Sequence, residues 1–101
     1  MRMMVFFDLP TLTHFERKEY NKFRKFLISD GFIMMQESVY CKLALNNSVV
    51  NSEMTRLKKN KPSGGIVQIL VITEKQFSSM EYIVGKKESQ IEDSESRLIM
   101  L

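Results

Sequence analysis

Met3-Met4-Val5-Phe6-Phe7-Asp8-Leu9-Pro10 decides how this chain is read. Five apolar residues in a row, without alternation, read as a strand buried on both faces. The strand stops at Asp8-Leu9-Pro10. Pro10 cannot donate to a ladder, and it pushes Leu9 towards extended geometry. Asp8 therefore stands at the end of a buried strand, where a carboxylate is conspicuous.

Working outward, Thr13 reads as a helix N-cap, and Glu16 three residues on completes a capping box. The helix runs from about His14 to Asp30 and ends at Gly31. Phe15, Phe23, Phe26 and Leu27 share one face at helical spacing, and Glu19 falls near that face without an evident reason. The stretch from Phe32 to Leu45 reads as extended, with a break near Gln36-Glu37. In its second half Val39, Cys41, Leu43 and Leu45 point one way; Ser38, Tyr40, Lys42 and Ala44 point the other. Asn46-Asn47-Ser48 supplies turn and capping chemistry, and a second helix covers about Val49 to Asn60 with Val50, Met54 and Leu57 as its apolar stripe. Lys61-Pro62-Ser63-Gly64-Gly65 turns the chain into an apolar strand, Ile66 to Thr73. A turn or helical piece at Glu74–Met80 follows, then short strands at Tyr82–Val84 and Arg97–Leu101.

Strand, helix, two strands, helix, strand is the ferredoxin-like βαββαβ pattern of an α+β domain. Right-handed crossovers place both helices on one face of the sheet. At 101 residues the reading is one domain, 1–101, with about 86–101 as a C-terminal extension. The unalternating strands require a cover for the second sheet face. A second copy of the chain, forming a homodimer, is one cover; the C-terminal segment of the same chain is the other.

Composition narrows the chemistry. Cys41 is the only cysteine and His14 the only histidine, so multi-cysteine zinc sites and multi-histidine metal sites within one chain are excluded. The apolar runs are far shorter than the roughly 20 residues a membrane helix needs, and no signal-peptide cleavage pattern follows the first of them. The reading is a cytoplasmic protein. Its formal net charge is +3, a weak pointer to nucleic acid.

Asp8 is the leading chemical candidate: either a solvated residue starting a turn, or a ligand for magnesium, which needs only one or two carboxylates. Two copies meeting across a two-fold axis would make the better site, as catalytic and metal-binding residue at once. On the first helix, Arg17 and Arg24 form one row and Lys18 and Lys25 another, both away from the apolar face. Such rows suit a phosphate backbone, and equally suit an ordinary solvated helix face. Arg56, Lys58, Lys59 and Lys61 fit the usual preference for cations at a helix C-terminus. Tyr40 is a candidate for stacking on a base or for packing at a dimer interface.

Together these segments resemble the CRISPR-associated protein two family. The resemblance rests on Met3–Pro10, on the basic helix ending Asp30-Gly31-Phe32, on Gln36-Glu37-Ser38-Val39-Tyr40, and on the strand Ile66–Thr73. Glu16-Arg17-Lys18, Lys22-Phe23-Arg24-Lys25-Phe26-Leu27 and Thr73-Glu74-Lys75-Gln76-Phe77 are most similar to the branch that accompanies the single large effector nuclease. The resemblance implies a ferredoxin-like homodimer in which Asp8 of each subunit meets near the two-fold axis, where magnesium sits. It implies a subunit of spacer acquisition, bridging CRISPR-associated integrase dimers around double-stranded DNA protospacer, and metal-dependent endonuclease activity on RNA or double-stranded DNA. The sequence departs from the family pattern at Phe7, where many members carry tyrosine, and in Phe32–Gln36, which lacks the basic residue of some nuclease members. A toxin-like ribonuclease of the same fold stands as the alternative outside CRISPR. An RNA-recognition module is disfavoured because the strands lack its paired stacking aromatics.

Overall fold

A computed structural model of the chain describes residues 1–86. Seven elements follow in order: β1 (Arg2–Asp8), α1 (His14–Ser29), β2 (Ile33–Gln36), β3 (Val39–Leu43), α2 (Asn47–Lys59), β4 (Ile66–Ile72) and α3 (Glu74–Ser78). The four strands form one antiparallel sheet in the order β2-β3-β1-β4, which is the ferredoxin-like arrangement. The central strand is β1, which accounts for its unbroken apolar run.

Strand alternation divides β1 between two faces. Met3, Val5 and Phe7 enter the main core with Phe23 and Leu27 of α1, Tyr40 and Ala44, and Val50 and Leu57 of α2. Both helices thus pack on one face. The helix α1 forms where its caps dictate. Thr13 Oγ1 accepts from the Glu16 amide at 3.1 Å, and Glu16 Oε1 accepts from the Thr13 amide at 2.9 Å. Its other end closes in a Schellman arrangement, with Gly31 at φ 96°, the Phe32 amide on the Leu27 carbonyl, and both side chains buried.

The opposite face carries Met4, Phe6, Val39, Cys41 and Ile72, over which α3 lays Phe77. Arg2 ties α3 down: its guanidinium donates to both Glu74 carboxylate oxygens at 2.9 and 2.7 Å and lies 4.2 Å from the Phe77 ring centre. Cover stops there. Ile33, Leu43, Ile66 and Leu70 remain about half exposed on the same face.

Several expectations are corrected. Tyr82–Val84 forms no strand; Ile83 and Val84 lie in a bend and are 92% and 90% exposed. Phe15, in the first turn of α1, stays outside the core and is exposed. Leu45 is exposed as well. The expected strand Arg97–Leu101 and most of the C-terminal extension lie outside the described residues.

Candidate functional site

Asp8 ends β1 as its last paired residue, opposite Ile66 of β4, and is exposed. Alternation puts its side chain on the face opposite the helices, with Met4 and Phe6, at the end that α3 leaves uncovered. Three contacts hold its backbone. Leu9 behind it is in the main core. The Phe7 amide donates to the carbonyl of Ser38, itself in the left-handed region at φ 67°. Gly65 approaches from the loop before β4 at φ 82°, and a Cβ there would lie 2.7 Å from the Asp8 carbonyl oxygen. The sequence marks Gly65 only as a turn residue; its close approach is visible only in three dimensions.

Among the described residues no group of three or more His, Cys, Asp or Glu is placed to hold a metal ion. Asp8 by itself offers a divalent cation one exposed carboxylate. That fits half of a water-rich magnesium site, and a second copy would have to supply the other half.

The basic residues of α1 fall into two sets. Arg17, Lys18 and Lys25 line an open cleft with His14, Asn21 and Lys22. Arg24 is half-buried and faces the neighbouring groove with Tyr20, Met34 and Glu37. Arg17 is partly occupied: its Nη1 donates to the carbonyls of Thr11 and Leu12, bracing the loop after Asp8. Sequence reasoning missed His14 and Lys22 as members of this face. Their spacing of four residues from Lys18 is the signal that would have found them.

The profile of the family described as CRISPR associated protein Cas2 matches residues 1–80. The chain belongs to the Cas2 family. Curated relatives named CRISPR-associated endoribonuclease Cas2 include one from Streptococcus mutans serotype c, 54% identical over 101 residues that cover all of this chain and 93% of the relative. Another, from Treponema denticola, is 46% identical over the full length of both chains. The crystal structure of Streptococcus pyogenes Cas2 at pH 6.5 superposes with a TM-score of 0.63 at 19% identity, covering 83% of this chain and all of that one. At that identity the likeness shows the fold.

Within this Cas2 fold, Tyr40 is not available to a base. It is 1% exposed and stacks on Phe7 with ring centres 5.7 Å apart, inside the chain's own core. Its strand face looks towards the helices, which sequence alternation alone could not tell from the outer face.

The basic stretch from Lys42 to Lys61 is also reduced. Glu53 of α2 is fully buried, and its Oε1 accepts from Lys42 Nζ and Arg56 Nη2, each at 2.7 Å. Lys42 Nζ also donates to the Asp30 carbonyl, and Arg56 Nε to the Asp30 carboxylate at 3.1 Å. Burial works to raise the Asp30 carboxyl. The hydrogen bond from Arg56 and the charges of Arg56 and Lys42 work against it, and the group is held below its usual range. Two cations of the stretch thus join β3, α2 and the end of α1, and Lys58, Lys59 and Lys61 are the exposed basic residues outside that network. The unexplained Glu19 accepts from the Ser63 amide at 3.3 Å, tying α1 to the loop before β4.

Proposed function

We propose that this Cas2 family member works as a homodimer in CRISPR spacer acquisition, holding double-stranded DNA protospacer between CRISPR-associated integrase subunits. The observation that carries this reading is the placement of Asp8. It sits at the end of a sheet face that the described residues leave uncovered, with Ile66 and Leu70 about half exposed, so a second copy seated on that face would bring two Asp8 carboxylates towards one axis. The cleft of Arg17, Lys18, Lys22 and Lys25 on α1 suits phosphates without reading sequence.

The same arrangement supports an endonuclease role, as the names of the curated relatives indicate for them. The substrate class is RNA or double-stranded DNA. Asp8 from each subunit would hold magnesium, which when bound lowers the pKa of a water and stabilises charge on a phosphate. In this chain the work of the residues is positional: Gly65 and Ser38 fix the Asp8 backbone, and the α1 cations hold the strand.

The test compares the wild type with Asp8→Ala, both first confirmed as dimers by light scattering. Spacer integration with the cognate integrase and magnesium-dependent cleavage of RNA and duplex DNA are measured side by side. Loss of cleavage with integration intact supports a scaffold that carries separable nuclease chemistry. Equal cleavage by both proteins removes Asp8 from the chemistry, and a monomeric wild type removes the paired site altogether.

A further inference from the structure

Lys22 stands where two basic surfaces meet. On one side it lines the open cleft of α1 with Arg17, Lys18 and Lys25. On the other it lines a smaller pocket with Lys59, the last residue of α2, and Lys61, in the loop that follows. The macrodipole accounts for cations gathering at the end of α2. It does not account for Lys59 and Lys61 sharing a pocket with Lys22 while Lys58 stays outside it.

The fold also sorts the charges. Each carboxylate of the two helices and of the Asp30 cap accepts a bond from the chain itself. Glu16 accepts from the amides of Leu12 and Thr13, Glu19 from the Ser63 amide, Glu53 from Lys42 and Arg56, and Asp30 from Arg56. Lys18, Lys22, Lys25, Lys59 and Lys61 are all exposed, and none forms an ion pair among the described residues. Lys18, Lys22 and Lys25 follow one another at helical spacing, where like charges repel. Lys59 and Lys61 add to that repulsion from a second element. In the shared pocket three lysines face the single carboxylate of Glu19, which is half-buried and already bonded to Ser63.

We propose that the phosphate-binding face of α1 continues across Lys22 onto Lys59 and Lys61, so that both helices hold the backbone of one DNA duplex. The proposal rests on the reading of α1 as a DNA-holding surface and adds the end of α2 to it. A polyanion supplies the countercharge that the chain withholds from these lysines, and their contacts with phosphates release its condensed counterions. Lysines act here as point charges on flexible stems, which suits holding a backbone without reading bases. The helices pack on one side of the sheet and the uncovered apolar face lies on the other, so a second copy seated on that face leaves the lysines accessible.

The test measures lysine acetylation in the full chain by mass spectrometry, with and without a saturating concentration of duplex DNA of mixed sequence. Lys59 and Lys61 should be protected severalfold together with Lys18 and Lys25, while Lys58 keeps its rate. Protection of Lys18 and Lys25 with unchanged Lys59 and Lys61 would overturn the extension and leave the reading of α1 standing. No protection at any of the four would overturn both. Protection of Lys58 equal to that of Lys59 would reduce the end of α2 to general shielding and overturn the proposal as well. Anisotropy at several salt concentrations gives an independent readout. Lys59→Ala combined with Lys61→Ala should lower the slope of log affinity against log salt by about 1.8, and Lys22→Ala by about 0.9. Lys58→Ala removes the same charge from the adjacent position and should change it little. A slope equal to that of the wild type in the double variant would exclude Lys59 and Lys61 from the contact.

Discussion

Gly65 stands so close to Asp8 that a single added carbon at residue 65 would meet the Asp8 carbonyl oxygen at 2.7 Å and the Leu9 side chain at 2.8 Å. Backbone atoms on the central strand cannot yield as a flexible side-chain tip would, and φ is 82° as well. Gly65→Ala should therefore cost about 2–5 kcal/mol, combining left-handed strain with overpacking. Gly64→Ala is the control, since nothing lies within 4 Å of its added carbon. Urea unfolding of both variants checks this. A neutral Gly65→Ala would mean that the loop before β4 can shift away from Asp8.

The second prediction concerns Glu53, a carboxylate buried completely and held by Lys42 and Arg56. Its Oε2 has no hydrogen-bond partner among the described residues, so the site depends heavily on charge at Oε1. Lys42→Met should cost about 2–4 kcal/mol, somewhat less than for a fully buried pair because Lys42 is partly exposed. Replacing both partners, as Lys42→Met with Glu53→Leu, should recover much of that loss. A double-mutant cycle by denaturant unfolding measures the coupling; additive losses would show that the two residues do not act as a pair.

Stability should also fall in acid. Asp30 is held below its usual range as described above. The hydrogen bond from Arg2 holds Glu74 below its own, against a smaller opposing effect of burial. A carboxyl depressed on folding adds stability that is complete above its unfolded pKa and is lost as pH falls through the folded value. For these two groups the unfolded values lie near 3.8 and 4.5, so the loss should begin below about pH 5 and continue beneath them. Thermal melts from pH 7 to pH 3 should show it. Asp30→Asn and Glu74→Gln should each flatten the acid limb while lowering stability at neutral pH. Acid limbs that match the wild type in both variants would assign the loss to other carboxylates.

For the basic face, Lys18→Ala and Lys25→Ala should each weaken binding to duplex DNA uniformly across sequences. Each should reduce the slope of log affinity against log salt by about 0.9. Lys58→Ala, at the end of α2 and outside that cleft, should change the slope little. Binding measured by anisotropy at several salt concentrations distinguishes these outcomes. An unaltered slope in both α1 variants would leave that face an ordinary solvated one.

The elements themselves were legible in the residues because their signals are local. Thr13 with Glu16, Gly31 after Asp30, and Asn46 before the second helix each satisfy terminal backbone groups with neighbours a few positions away. The unalternating Met3–Phe7 run marked the central strand, and the order of elements then allowed few topologies. What the residues left open was decided by contacts between distant segments. Tyr40 and Cys41 alternate by sequence, but only the packing of α1 and α2 says that the Tyr40 side faces the helices. Lys42 and Arg56 read as part of a basic stretch until the fold brings Glu53 and Asp30 against them. Glu19 had no reading before Ser63 came within hydrogen-bonding distance, 44 positions along the chain. By itself, then, the sequence determined the four strands of the sheet, the helices and the strand-end position of Asp8, because capping and periodicity act over a few residues. Tertiary structure alone decided which side chains are buried, which charges are paired and which sheet face the described residues leave uncovered, because those depend on segments that meet only when the chain is folded.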